Sequence, residues 1–283
     1  MDKKTNEVSH LFEKEYEASA KGAAAKVQFL QENPLGYVMV SLLGGAYLGF
    51  GILLTYAIES YLGPQPSAHI VMGISFGVAL SLVIMAGAEM FTGDAFILYN
   101  GLRRKTVTAG DVVKLLVVCY IGNWLGALIL SAIFYGTGLD TGAMAKALTD
   151  AAALKMTLPP LEIFCRGILC NVLVCLAVWC TFRCHSDSAK LIMIFWCLYV
   201  FYTLGFGHCI ANMTLMTLAM LAPHPDTVNL TNYFYNLVCV TAGNVAGAIF
   251  FVSLPYGLAS RRRPSLSSAI RKQHDSKKFK EEL

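Results

Sequence analysis

The sequence predicts an all-α membrane protein with six transmembrane helices, and the composition and the apolar runs both indicate this fold class. Hydrophobic residues make up 56% of the 283 residues and charged residues only 14%, against about 25% charge in an average soluble domain. A bilayer-spanning helix needs about 20 apolar residues. Six such runs occur, near 36–58, 70–100, 111–136, 161–182, 190–221 and 233–258. These runs alternate too poorly for barrel strands.

The lysine and arginine residues set the predicted orientation. Five lie in the N-terminal segment, four around the loop after span two, two in the loop after span four and eight in the C-terminal tail. Only Lys146, Lys155 and Arg166 lie elsewhere. Because basic residues concentrate on the cytoplasmic side, we expect a multi-pass protein of the cell (inner or plasma) membrane with both termini in the cytoplasm.

Three segments follow from this pattern. Residues 1–33 are polar, lack the apolar centre of a cleavable signal peptide and are predicted to form a cytoplasmic amphipathic segment. Residues 34–258 form the six-span domain, with repeats at about 36–136 and 161–258. Residues 259–283 form a basic cytoplasmic tail, which we interpret as a solvated topology signal and not as a nucleic-acid-binding segment.

Spans two and five are expected to be broken helices. Each exceeds 30 residues, which as one helix would extend about 45 Å, whereas the hydrocarbon core is about 30 Å thick. Polar clusters interrupt both runs, "AGAEMFTGDAF" at 86–96 and "GFGHCIANMT" at 205–214. Backbone leaves a helix at membrane depth only where protein or a water-filled cavity satisfies it. Paired breaks in two halves are typical of a transport site.

A short repeat supports two inverted halves of three spans each. Span three contains "GNWLG" at 122–126 and span six contains "GNVAG" at 243–247. An odd number of spans per half means that the second half enters the membrane from the opposite side. We predict that Asn123 and Asn244 hydrogen-bond backbone groups freed at the two breaks.

His208 lies at the second break. An ionisable residue at membrane depth is costly and usually functional. The N-termini of half-helices present unpaired N–H groups that attract anions, and the charge of a histidine changes near neutral pH. The pattern therefore favours an anion path.

These motifs, together with "NPLG" at 33–36 and "GILCNVLVCLAVW" at 167–179, resemble the formate/nitrite transporter family, and most closely its nitrite-transporter branch. The resemblance extends from Asn33 to about Tyr256. It implies an aquaporin-like protomer, a homopentamer and one pore through each subunit. It also implies that the substrates are small monovalent anions, with nitrite or formate expected first and hydrosulfide as the alternative.

The resemblance also implies which residues line the pathway. His208 matches the family's central pore histidine, and Thr92 matches a threonine that can hydrogen-bond toward it. The family often has Glu directly before this histidine, where the chain has Gly207. The other matching positions are the apolar narrowing at Leu80, Met90, Phe91 and Phe201, with Phe76 at the outer constriction, a lysine near the outer mouth at Lys155, and pore-shaping polar residues at Asn171 and Asn244.

An apolar narrowing opposes a bare anion, because desolvating a charge is expensive, but it does not oppose a neutral weak acid. We therefore expect a monobasic anion to be protonated near His208, directly or through water, and to cross as the neutral acid. The expected partners are small anions, protons, the lipid bilayer and identical subunits, with no nucleic acid.

Enzyme and scaffold interpretations are weaker. "GISFG" at 73–77 fits a serine-nucleophile pattern, but that pattern requires a strand-turn-helix elbow, and Ser75 lies in an apolar span. A haem or quinone protein would need paired ligands, and the other histidines lie outside the spans or at their ends. A receptor or scaffold has no use for two breaks at membrane depth. We predict no enzyme activity, no catalytic residue, no metal and no cofactor.

Overall fold

The computed structural model describes residues 12–260, and within that range it contains helices and connecting turns but no strand. A π-helical stretch at Gly247–Ser253 separates the last two α-helices. The α-helices are α1 (Glu13–Glu32), α2 (Pro34–Leu62), α3 (Pro66–Ala86), α4 (Phe91–Arg104), α5 (Ala109–Gly136), α6 (Gly142–Thr157), α7 (Pro160–Arg183), α8 (Asp187–Thr203), α9 (Cys209–Leu221), α10 (Leu230–Ala246) and α11 (Leu254–Ala259).

Five helical stretches are long and apolar enough to cross a membrane. They are α2, α3, α5, α7 and the continuous stretch Leu230–Ala259. Helix α9 is apolar but has only 13 residues, and α8 has 17. The all-helical fold class is therefore confirmed, and length and composition alone identify five of the six predicted spans.

Each of the two polar clusters predicted to interrupt a span contains a break between two helices. Helix α3 ends at Ala86 and α4 begins at Phe91, whereas α8 ends at Thr203 and α9 begins at Cys209. A glycine with positive φ lies at each exit, Gly87 at 80° and Gly205 at 70°. Glycine populates this left-handed region without the steric penalty of a side chain. The sequence therefore has a glycine at each position where the backbone turns out of a helix.

The two "GNxxG" motifs lie where helices cross at close range. A Cβ on Gly126 would overlap the Leu42 carbonyl of α2, and a Cβ on Gly247 would overlap the Ile168 carbonyl of α7. Only a residue without a side chain permits such an approach between backbones. Helix α5 thus crosses α2 in the first half as α10 and its continuation cross α7 in the second.

Helix α1 packs against the helical body. Asn33 ends α1, and its side chain accepts the Gly36 N–H at 2.9 Å to begin α2. On the body side of α1, the Tyr16 ring lies 5.0 Å below the Arg104 guanidinium, and Arg104 pairs with Glu17 at 2.8 Å. Residues 1–11 of the predicted N-terminal segment, and the predicted tail beyond 260, lie outside the described residues.

Candidate functional site

Thr92 and His208 meet at the two interruptions. Thr92 Oγ1 lies 2.9 Å from His208 Nε2, the contact that the resemblance implied. His208 is also the N-cap of α9, where its Nδ1 accepts the backbone N–H of Ala211 at 3.2 Å. A ring nitrogen that accepts a hydrogen bond carries no proton, so the proton of the neutral imidazole lies on Nε2. His208 therefore donates to the Thr92 hydroxyl oxygen.

Asn123 holds the first interruption. Its Oδ1 accepts the N–H of Phe91 at 3.0 Å. Its Nδ2 donates to the carbonyls of Ser41 at 2.6 Å and Glu89 at 2.9 Å. Buried backbone groups at a helix break need such partners, and one side chain of α5 supplies them to Phe91 and Glu89 while its bond to the Ser41 carbonyl ties the break to α2.

Asn244 holds the second interruption in the same way. Its Oδ1 accepts the N–H of Cys209 at 2.9 Å, and its Nδ2 donates to the carbonyls of Gly167 at 2.8 Å and Gly207 at 2.9 Å. These contacts agree with the hydrogen bonds predicted for both asparagines from the repeat.

Asn171 connects the two interruptions. Its Nδ2 donates to the carbonyl of Asn244 at 2.7 Å and to that of Thr92 at 3.3 Å. Its Oδ1 is buried and has no hydrogen-bond partner among the described residues. One turn further along α7, the Cys175 thiol also contacts the Thr92 carbonyl, at 3.7 Å.

A closed apolar slot lies beside the Thr92–His208 pair, and it leaves no room for a water molecule. Among the described residues that line the slot, only His208 has a polar side chain. Of the narrowing positions, Phe76, Leu80, Met90 and Phe201 are in the lining. The full lining is Leu48, Phe76, Leu80, Met90, Val174, Leu198, Phe201 and His208.

The aromatic rings of the slot are in mutual contact. The rings of Phe76 and Phe201 meet edge to face at 5.5 Å, and the Phe201 ring stacks over His208 at 6.1 Å. Phe91, also predicted for the narrowing, is placed elsewhere. Its ring packs edge-on against Tyr120 at 4.9 Å, because the Asn123 hydrogen bond fixes its backbone on the α5 side.

A cavity of about 380 Å³, the Lys26 vestibule, adjoins the slot. Leu80 and Met90 line both spaces. Lys26 of α1 pairs there with Glu89 and, at 2.9 Å, with Asp94. Burial lowers the pKa of Lys26, but the charges of Asp94 and Glu89 outweigh it, so the net pKa is raised and the ammonium stays charged.

Sequence reasoning missed Lys26. Lys26 pairs with Glu89 and Asp94. Their partner comes from α1 because α1 packs beside α4, and no local pattern in residues 13–32 indicates that docking.

A smaller space of about 10 Å³, the Lys155 vestibule, lies beside the second interruption, with Gly205 and Gly207 in its lining. Lys155, Arg166 and Gly207 contribute to its lining. Within residues 12–260 the Lys155 ammonium has no ion pair or hydrogen bond, and burial lowers its pKa. Its backbone carbonyl accepts from Asn236 Nδ2 at 2.7 Å, which fixes the end of α6 here.

The helices of the bundle are long enough to cross a bilayer, and an apolar slot separates two charged vestibules. Together these features define a helical membrane transport protein. The chain belongs to the formate/nitrite transporter family, whose model matches residues 13–258. The prediction of a transporter or channel and not an enzyme is thereby confirmed.

Several relatives of named function match most of the chain. The nitrite transporter NirC of Salmonella typhimurium is 36% identical over 242 residues, covering 85% of this chain and 89% of its own length. NirC of Escherichia coli is also 36% identical, covering 85% and 90%. A probable formate transporter of Methanothermobacter thermautotrophicus is 32% identical over 260 residues, covering 84% and 94%.

Two solved structures share the fold. One, described as an FNT family ion channel, superposes with a TM-score of 0.84 at 34% identity, covering 87% of this chain and 99% of its own. The other, described as a pentameric formate channel with formate bound, gives 0.72 at 26% identity, covering 81% and 98%.

Proposed function

We propose that the protein is a membrane channel for small monovalent weak-acid anions, with nitrite or formate as substrate and with proton-linked passage near His208. Support for the substrate class comes from relatives named nitrite transporter and probable formate transporter and from the structural neighbour with formate bound. That neighbour is pentameric, and we propose a homopentamer for this chain.

The proposed topology has six spans across 34–258, in two inverted repeats with spans two and five broken. The matched hydrogen bonds of Asn123 and Asn244 support the repeats, because one residue type at one motif position serves each interruption. The distribution of lysine and arginine supports cytoplasmic termini. In this orientation the Lys26 vestibule faces the cytoplasm and the Lys155 vestibule faces outward.

The closed slot is the observation that carries the proposal of proton-linked passage. A water-free apolar passage offers an ion no replacement for its hydration shell, so transfer of the bare anion is strongly disfavoured. A neutral acid loses far less hydration. The permeant therefore takes up a proton, directly or through water, close to His208, crosses as the acid and releases the proton beyond the slot.

The Thr92–His208 pair acts as a hydrogen-bonding station in this passage. Protonation of His208 at Nδ1 would place two donors, Nδ1–H and the Ala211 N–H, against each other at the start of α9. The neutral imidazole is therefore the resident form, and its Nε2–H occupies the Thr92 oxygen. The Thr92 hydroxyl hydrogen then points to the permeant, which it can orient without supplying the net proton.

Lys155 draws anions to the outer end of the path. An ammonium that lacks a carboxylate partner in a narrow vestibule raises the local concentration of anions by its field. Gly207 lies beside Lys155 in this vestibule and has no charged side chain, so no negative charge at that position offsets the positive potential of Lys155.

Uptake into proteoliposomes tests the function. Purified protein is reconstituted, and nitrite, formate, hydrosulfide and chloride are offered separately at one pH, with protein-free vesicles as the control. Nitrite or formate should exceed chloride by at least about tenfold, since a barrier difference of 1.4 kcal/mol is already tenfold. Equal rates for chloride and formate would contradict proton-linked passage, and fastest uptake of hydrosulfide would favour a hydrosulfide channel of the same fold.

A further inference from the structure

Two carboxylates share one lysine at the end of the slot that faces α1. Lys26 Nζ contacts both Glu89 Oε2 and, at 2.9 Å, Asp94 Oδ1. The exposed fraction of the Glu89 side chain is 13%, and that of Asp94 is 3%. Asp94 Oδ2 is in addition 3.5 Å from the Tyr37 hydroxyl, which donates to it.

This cluster lies where the permeant changes environment. Glu89 immediately precedes Met90, and Met90 and Leu80 line both the Lys26 vestibule and the slot. A molecule entering from this vestibule therefore passes Glu89 just before it loses its water. A proton that the permeant needs in the slot beside His208 can therefore be supplied here, where it enters the slot.

The charge balance of the cluster leaves a place for one proton. The other titratable groups beside the cluster in the described chain are Tyr37 of α2 and Cys119 of α5, and both are neutral near pH 7. One lysine and two ionised carboxylates carry a net charge of −1, and close like charges disfavour full ionisation. With one proton bound, the cluster is neutral and no longer repels an arriving anion.

We propose that Glu89 is the proton-loading residue of the channel on the α1 side, an inference that rests on the proposed weak-acid function. Glu89 is the more exposed of the two carboxyls, whereas Asp94 is held between Lys26 and Tyr37. In the transfer, the O–H bond of protonated Glu89 breaks and an O–H bond forms on the permeant anion. Glu89 remains as a carboxylate beside Lys26, and vestibule water returns its proton.

Formate uptake as a function of pH separates this role from a structural one. In Glu89→Gln, uptake at pH 7 should fall at least about tenfold, which is less than the roughly 10²–10⁴-fold that general acid catalysis typically contributes. It should approach the wild-type rate near pH 5, where protons from water are abundant. Glu89→Asp should keep the wild-type profile, and Glu32→Gln, the same change at an exposed site on α1, should have no effect. A loss by the same factor at every pH, or no loss, would overturn the proposal.

Infrared spectroscopy tests the proton itself without any transport. The difference spectrum between wild-type protein and Glu89→Gln at pH 7 should show the carbonyl band of a protonated carboxyl, because the cluster holds one proton. The difference spectrum between wild-type protein and Glu32→Gln should show no such carbonyl band, since an exposed glutamate is ionised at pH 7. Absence of the band would overturn the role of Glu89 even if weak-acid transport is intact. Presence of the band with equal chloride and formate flux would place the failure in the proposed function.

Discussion

Asn123 and Asn244 make the same three kinds of hydrogen bond at the two interruptions where Thr92 and His208 meet. Each accepts the first N–H of the following helix and donates to two backbone carbonyls. Each also belongs to a "GNxxG" motif whose glycines allow its helix to cross a neighbour at van der Waals range. The motif therefore combines a close crossing with a polar clamp, which explains why both features occur in each half of the chain.

Replacement of either asparagine should destabilise the fold to a similar degree. Asn123→Leu and Asn244→Leu each leave one N–H and two carbonyls without these partners, and a buried group left unpaired costs about 1–3 kcal/mol. Thermal unfolding in detergent should show a lower Tm for both variants. Asn232→Leu, at a partly buried asparagine near the start of α10, is the control. A large loss in only one of the two variants would contradict the equivalence of the interruptions.

The Thr92 hydroxyl should matter for flux more than for folding. Thr92→Val keeps the shape but leaves His208 Nε2–H unpaired and removes the donor to the permeant, so formate uptake should fall about tenfold, in line with a penalty of about 1–3 kcal/mol. Thr92→Ser retains the hydroxyl and should remain within about threefold of wild type. The comparison is made by stopped-flow uptake into proteoliposomes. Similar losses in both variants would indicate that the methyl group matters and the hydroxyl does not.

Substitution of Phe201 should change mainly the selectivity of the channel, and substitution of Phe91 mainly its stability. Phe201→Ala opens the slot beside His208 and admits water, so the ratio of formate to chloride flux should fall at least about tenfold. Phe91→Ala removes a ring packed on Tyr120, so it should lower the free energy of unfolding by about 3–5 kcal/mol and leave the ratio near the wild-type value. Flux ratios and unfolding midpoints of the two purified variants distinguish these outcomes. A similar fall in the ratio of formate to chloride flux in Phe91→Ala would indicate that the Phe91 ring lies in the pathway.

Phe91 and Lys26 also show which parts of the site the sequence could not predict. The interruptions were predictable because Gly87 and Gly205 lie next to polar residues within long apolar runs, and the asparagines because their motif occurs twice. In irregular backbone, however, neighbouring side chains diverge, so Met90 enters the slot and Phe91 does not. The position of Lys26 depends on how α1 docks, which is a tertiary property. Leu48, Val174 and Leu198 resemble any other packing residue of an apolar helix.

The last prediction concerns the affinity of the outer vestibule. Lys155→Gln removes the ammonium without a partner in the described chain, so the formate concentration at half-maximal uptake should rise several-fold while the maximal rate changes little, because the field acts on capture and not on crossing. Lys146→Gln is the matched control on the same helix, since Lys146 is exposed and already paired with Asp150 at 2.7 Å.

Gly207→Glu should act like Lys155→Gln, because a carboxylate there would offset the ammonium. Its Cβ would come within 2.8 Å of the buried Val240 side chain, which has to shift to admit it. An unchanged half-saturation concentration in both variants would remove Lys155 from the capture step.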